Sequence, residues 1–270
     1  MILIISILIL LIVLNLNNKD NSRTHTRSSI ETFKNKSKTP TIESQTEQKV
    51  ENKSTGERLI NVDEIQHGRV PAKWHRISKR ATTEFSLRLP LTVDEPPKNT
   101  SVTTMKELYY LKKLTNKLSN DKIAKAKLFR RNRNTLIEFL KYAGENGLLH
   151  SPKHLKSAYR DTLTLCTNLK LLYKRARPSK LACINNIRLH TIGNPNTPSY
   201  PCFPTMVSKV LAELLIHNNP DHKDNLDKLA KIVELSRLYG GLNYPSDNEA
   251  ALSVAKTIIK HTKRLEIIKK

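Results

Sequence analysis

The chain has 270 residues, of which 38% are apolar, 5% aromatic and only seven glycine, with a net charge of +23. So few aromatic residues make poor material for a β-sandwich. The Leu, Ile, Lys and Ala of the later half suit helices instead. The charge is uneven: nineteen Lys or Arg face five Asp or Glu between Met105 and Lys180, a local excess of fourteen. A field of that sign draws phosphates, nucleic acid or anionic lipid and does not choose among them.

Residues 2 to 14, ILIISILILLIVL, form an apolar run. Thirteen residues make about 20 Å of helix, short of a hydrocarbon core of roughly 30 Å, so a secretory h-region fits better than a spanning helix. No basic n-region precedes it and no Ala-x-Ala site follows. Residues 1–18 are therefore expected to be a signal peptide or an uncleaved signal anchor. The protein is then exported to a periplasmic, lumenal or extracellular space, with residues 2–14 as its membrane tether if the anchor stays. Residues 19–84 are read as a largely disordered, low-complexity polar segment, since Asn, Ser, Thr, Lys and Glu crowd its first part without apolar periodicity. Trp74, the one tryptophan, falls within it. LPLTVDEPPKNTS, residues 89–101, is proline-punctuated and extended.

Helical periodicity begins at Thr104. MKELYYLKKLTNKL puts Leu108, Leu111 and Leu114 on one face. DKIAKAKLFRRNRNTLIEFLKYAGENG runs to a glycine stop, with Leu128, Leu136, Ile137, Leu140 and Tyr142 as its apolar contribution. SPKHLKSAYRDTLTLCTNLKLLYKRARP opens with Ser151 as N-cap and Pro152 at the first helical position, and is expected to end at Pro178. A loop carrying Pro195, Pro198, Pro201 and Pro204 follows. Three more helical stretches then come, TMVSKVLAELLIHN, KDNLDKLAKIVELSRLYGG and SDNEAALSVAKTIIKHTKR. The expected fold is all-α, a compact bundle of about six helices over residues 85–265.

Within that bundle a few charged residues have suggestive spacing. Lys170 and Arg177 lie seven apart near the end of one helix, roughly two turns, and are expected to share a face. Arg237 ends another helix. Asp247 sits in the first turn of the last helix, where Ser246 and Glu249 spell a capping box. Two guanidinium forks and an ammonium converging on one point make a phosphate clamp. Solvated charges produce the same spacing by chance in so basic a chain.

Taken in order, three blocks resemble the type 2 phosphatidic acid phosphatase superfamily, which includes the vanadium haloperoxidases. The likeness leans toward the exported class A bacterial acid phosphatases. KLLYKRARP (170–178) resembles that family's Lys-x6-Arg-Pro. SYPCFPT (199–205) resembles Ser-Tyr-Pro-Ser-Gly-His-Thr, and SRLYGGLNYPSD (236–247) resembles Ser-Arg-x5-His-x3-Asp. DEPPKNTS and MKELYYLKKL are similar to the family's proline-rich approach and first helix.

The resemblance implies a helical phosphatase fold and assigns roles by position. Lys170, Arg177 and Arg237 keep the anion clamp, and Asp247 keeps the carboxylate that orients the nucleophile. The nucleophilic histidine is replaced by Asn243 and the general-acid histidine by Pro204. Cys202 and Phe203 stand where a serine and a glycine cup the phosphate. An amide nitrogen is delocalised and does not attack, proline carries no proton to give, and a phenyl ring crowds a place that needs close backbone approach.

Three function classes follow. The first is a pseudophosphatase that keeps a phosphate-binding pocket. The second is an active or altered phosphomonoesterase that recruits another group, such as Cys202 or His190. The third is a basic membrane-surface or interaction module, for which the run KIAKAKLFRRNR (122–133) is the candidate. In the third class the pocket is filled, with Phe203 the obvious plug.

A phosphorylated ligand is the expected partner and an anionic membrane surface a further one. Nucleic acid is disfavoured by the scarcity of aromatic platforms and of any helix-turn-helix or zinc signature. Oligomeric state is not legible. Cys166, Cys183 and Cys202 allow one disulfide, of which Cys183 with Cys202 is one pairing, or stand as small buried hydrophobes. His150, His154, His217, His222 and His261 show no metal spacing, and neither metal nor cofactor is expected.

Overall fold

The computed structural model describes residues 61–82 and 93–268, with side chains to residue 262. The expected export segment and the first part of the polar tether lie outside the described residues. Arg58–Lys270 make one compact unit. Nine α-helices are found among the described residues: α1 (Ala72–Ser78), α2 (Val102–Thr115), α3 (Asn120–Leu128), α4 (Asn132–Glu145), α5 (Pro152–Tyr173), α6 (Pro178–Ile184), α7 (Phe203–Asn218), α8 (Lys223–Tyr239) and α9 (Pro245–Ile268). Two short 3-10 turns, Val62–Glu64 and Pro220–His222, join them. Gln66 opposite Arg175 is an isolated bridge, and no strand forms among the described residues. The all-α expectation holds, with nine described helices in place of about six because two long stretches break and α1 forms within the expected polar segment.

The first break falls at Phe129–Arg131, which splits the basic run into α3 and α4. Phe129 and Phe139 are fully buried there, whereas Leu128 and Ile137, expected to point inward, face solvent. The second break falls at Lys174, which takes a left-handed conformation (φ 47°) and ends α5 four residues before Pro178. Other ends follow their caps. Ser101 Oγ accepts from Thr104 N–H at the start of α2, and Ser151 Oγ accepts from His154 N–H ahead of Pro152 in α5, each satisfying an orphan donor.

The packing explains why α7 is apolar nearly all round. It lies centrally, against α4, α5, α8 and α9, and Met206, Val207, Val210, Leu211 and Leu215 are buried with Phe139, Leu155, Leu226, Val233 and Ile258. A smaller cluster joins Leu108 and Leu111 of α2 to Leu181, Ile187, Leu238 and Tyr244. Between the two clusters run the ends of α5, α8 and α9.

Residues 61–80, expected within the polar segment, are built into this unit. His67 N–H donates to Lys174 O at 2.9 Å, Asn99 Nδ2 donates to Val62 O and Ile65 O at 2.8 Å, and α1 packs on α5. All three cysteines are free. Cys166 and Cys202 are buried as small hydrophobes and Cys183 is exposed, so the Cys183–Cys202 pairing is not formed.

Candidate functional site

Every residue implied by the family resemblance converges on one place, by a route other than the expected one. Because α5 stops at Tyr173, Lys170 and Arg177 do not share a helix face. Arg177 instead stands at the N-cap of α6, and the left-handed Lys174 turns the chain back so that both cations grip the segment Thr197–Ser199. Lys170 Nζ donates to Pro198 O (2.7 Å) and Ser199 O (2.9 Å). Arg177 donates through Nε to Thr197 O (2.8 Å), through Nη1 to Leu242 O (2.7 Å), and through Nη2 to Thr197 Oγ1 (3.1 Å) and Pro198 O (2.9 Å).

Arg237 comes from the last turn of α8. Its Nη1 donates to Phe129 O (3.0 Å) and its Nε to Asn243 Oδ1 (3.3 Å). The corner that returns the chain from Arg237 to Asn243 needs Gly241. Its φ is +61°, and a Cβ there would sit 2.6 Å from His190 O, a backbone conformation and an approach that only glycine allows.

Asn243 is fully engaged. Its Nδ2 donates to Ser199 O (2.8 Å) and Asp247 Oδ2 (3.1 Å) while its Oδ1 accepts from Arg237. The network therefore sets the amide orientation, and the delocalised amide nitrogen has no lone pair for attack. Asp247, with no exposed surface, also accepts from Tyr244 N–H (2.9 Å) at the start of α9 and from Arg175 Nη1 (2.7 Å). The carboxylate to which the resemblance gives an orienting role thus holds an amide and a guanidinium. The Ser246–Glu249 capping box does not form: α9 begins at Pro245, and Ser246 donates through N–H (2.6 Å) and Oγ (2.9 Å) to Glu107.

Arg175 and Glu107 are the residues that motif reasoning missed. Arg175 bridges Asp247 and, through Nη2 at 3.2 Å, Glu107, with its guanidinium 4.0 Å from the Tyr244 ring centroid. Burial works against its charge, but Asp247, Tyr244 and Glu107 together hold its pKa above the ordinary value. The hint in the sequence was the alternation Arg175-Ala176-Arg177, whose three residues are all buried.

Cys202, Phe203 and Pro204 begin α7. Cys202 N–H donates to Asp247 O (3.0 Å), and its thiol is fully buried. Pro204 takes a first-turn position that needs no N–H. The Phe203 ring sits edge-on to Tyr159 with centroids 5.3 Å apart. It lines the site without filling it. A cleft of about 600 Å³ remains open, with Lys170, Arg177, Arg237 and Asn243 at its buried floor and Phe203 and Pro204 beside them. Lys73, Arg130, Arg131 and Arg133 line the same cleft on its exposed side, and Trp74 and Asn196 meet there by an indole hydrogen bond (3.3 Å). His190 is exposed and lies outside this lining.

The electrostatics are one-sided. Among the described residues, seven cationic side chains and no carboxylate line the cleft. Among the described residues both buried carboxylates of the site, Asp247 and Glu107, are ion-paired to Arg175, and none pairs with Lys170, Arg177 or Arg237. Burial brings Lys170 down to about 8, with Arg177 adding to the effect. Burial and then the neighbouring Arg237 bring Arg177 down to about 10, and burial lowers Arg237 as well. Backbone carbonyls solvate these cations but do not neutralise them, so the floor keeps an excess of positive charge away from water.

No protein-family model matches the chain, and no curated protein matches it. Solved structures do. A bacterial vanadium-dependent iodoperoxidase matches with 14% identity and a TM-score of 0.54, over 68% of this chain and 54% of that one. A bacterial vanadium-dependent chloroperoxidase matches with 12% identity and a TM-score of 0.50, over 70% of this chain and 54% of that one. A membrane phosphatidylglycerolphosphate phosphatase of the PAP2 type from Bacillus subtilis matches with 14% identity and a TM-score of 0.49, over 63% of this chain and 90% of that one. The chain spans about half the length of each haloperoxidase. At these identities the likeness establishes the fold alone, an all-helical fold shared with the two haloperoxidases. The narrower likeness to class A acid phosphatases rests on sequence alone.

Proposed function

We propose that this protein is a non-catalytic phosphate-binding relative of the PAP2 phosphatases, an exported pseudophosphatase whose pocket outlived its chemistry. The observation that carries the reading is the floor of the cleft. Lys170, Arg177 and Arg237 are buried over an open volume, and among the described residues no carboxylate is ion-paired to them. A tetrahedral oxyanion supplies the missing charge and accepts the donors still unused, since Lys170 bonds through two of its three ammonium hydrogens and Arg177 through four of its five. Asn243 and Pro204 stand where the superfamily places its nucleophile and acid, and Asn243 is held by three partners that fix it. Loss of general acid–base help alone removes about 10²–10⁴-fold of rate, and loss of the nucleophile removes the covalent route altogether.

The test uses the full chain. Isothermal titration with inorganic phosphate and with vanadate is expected to show binding, weakened in the Arg237→Lys variant. A generic phosphomonoester assayed from acid to neutral pH is expected to show no turnover above that variant. Turnover that disappears with Arg237 would overturn the reading and favour the phosphomonoesterase. Absence of any anion binding would overturn it in the other direction, toward a basic interaction module.

A further inference from the structure

We infer that the ligand of this cleft carries two or more phosphoryl groups in one small soluble molecule, a diphosphate or longer chain that bridges the floor to the mouth. The inference rests on the phosphate-binding reading of the floor and names the class of ligand that fills the rest.

Three observations carry it. The cleft is too large for one phosphate: about 600 Å³ is the volume of some twenty water molecules at roughly 30 Å³ each, several times what a single tetrahedral anion occupies. Its outer lining has the same sign as its floor. Arg130 and Arg131 come from the turn between α3 and α4, Arg133 from the first turn of α4, and Lys73 from α1. Among the described residues those three arginines make no side-chain hydrogen bond or ion pair. A run of arginines on a helix face is ordinarily a solvated surface. Here the helix is broken at Phe129–Arg131, and Phe129 is driven into the core with its carbonyl bonded to Arg237. The turn that presents the mouth arginines is therefore tied directly to a floor cation.

The geometry also selects a soluble ligand over a membrane. The floor cations are buried behind walls formed by α1, α4, α5 and the loop through Asn196. A planar lipid surface touches the mouth and does not reach the floor. Guanidinium groups at both ends match phosphoryl oxygens in pairs.

Trp74 makes the test direct, because the one tryptophan of the chain lies in the cleft wall and its fluorescence reports occupancy. The full chain is titrated with inorganic phosphate, pyrophosphate and tripolyphosphate at fixed ionic strength. Affinity is expected to rise at least about ten-fold from phosphate to tripolyphosphate, as one further charge-assisted contact provides. The triple variant Arg130→Ser, Arg131→Ser, Arg133→Ser is expected to bring tripolyphosphate down to the phosphate level and to leave phosphate itself within about two-fold, since surface substitutions perturb little else. The variant Lys106→Ser, Lys113→Ser, Lys117→Ser, which removes equal charge from an exposed face elsewhere, is expected to change neither.

Equal affinity for phosphate and tripolyphosphate overturns the bridging inference and leaves the floor reading standing. The same holds if the two triple variants weaken tripolyphosphate alike, which marks a general charge effect. Displacement of tripolyphosphate by phosphatidic acid vesicles but not by free phosphate overturns the soluble assignment. Failure of every anion to bind overturns the floor reading itself.

Discussion

The floor and the mouth of the cleft carry charge of the same sign held by opposite means. At the floor, each cation is buried and clasped by backbone carbonyls or by a side-chain amide, as with Lys170 on Pro198 and Ser199 or Arg237 on Phe129 and Asn243. At the mouth, Arg130, Arg131 and Arg133 stand in solvent. The floor is part of the framework, so its charge cannot be altered without disturbing three helix ends. The mouth is an attachment that the fold does not need. On the proposed reading, stability and ligand choice reside in different halves of one site.

The sharpest break of that comparison is removal of Asp247. Asp247→Ala leaves Arg175 and the Tyr244 N–H without their buried acceptor, and breaking such a pair costs about 3–5 kcal/mol. Arg131→Ser is expected to change stability by less than about 0.5 kcal/mol. Urea denaturation of both variants measures the contrast, and similar losses in the two would erase it.

Next in size is the pH dependence of Lys170. Its folded pKa, about 8, lies below the ordinary 10.5, so between those values the unfolded chain binds more protons than the folded one. Stability from this group therefore rises with pH through that window, by about 3 kcal/mol at most. Phosphate affinity moves the other way and falls above about pH 8 as the ammonium is lost. Calorimetry in two buffers of different ionisation enthalpy is expected to show proton uptake on binding near pH 8. Binding with no proton uptake there would place the anion away from Lys170.

Gly241→Ala is expected to cost about 1–3 kcal/mol, because a left-handed residue meets the His190 carbonyl at 2.6 Å; thermal melting checks it. The smallest effect belongs to His67, because its half-exposed ring is screened by solvent. Burial, then Arg177, lowers its pKa to about 4. The unfolded histidine takes up its proton first, so stability declines modestly as pH falls from 6.5 toward 4. A bound anion, by screening Arg177, is expected to raise the His67 titration midpoint in proton NMR.

Much of this was legible from residues alone, for identifiable reasons. Periodicity exposed the helices, and caps such as Ser151-Pro152 located their starts. Order and spacing of three short blocks located the clamp. What local pattern did not carry was the break at Lys174. A helix that continued to Pro178 would place Lys170 and Arg177 on one face, whereas the left-handed turn brings them together around Thr197–Ser199. Arg175 and Glu107 were hidden for a similar reason, being tied to the site only through partners 72 and 68 residues away. Phe129 looked like part of an exposed basic helix, and only tertiary packing shows that it anchors the turn. Trp74 and Lys73 sat in a segment whose composition speaks for disorder, and their place in the cleft wall depends on contacts to Asn196 and α5.

The bonds that close the cleft reach far along the chain: Trp74 to Asn196 spans 122 positions, Phe129 to Arg237 spans 108 and Glu107 to Ser246 spans 139. Each such loop must be closed before its bond can form, and distant closures come late and slowly. On that ground the cleft is expected to form late in folding, after α5 and α7 have packed. An anion that binds the finished cleft is then expected to slow unfolding and to leave refolding at its own pace.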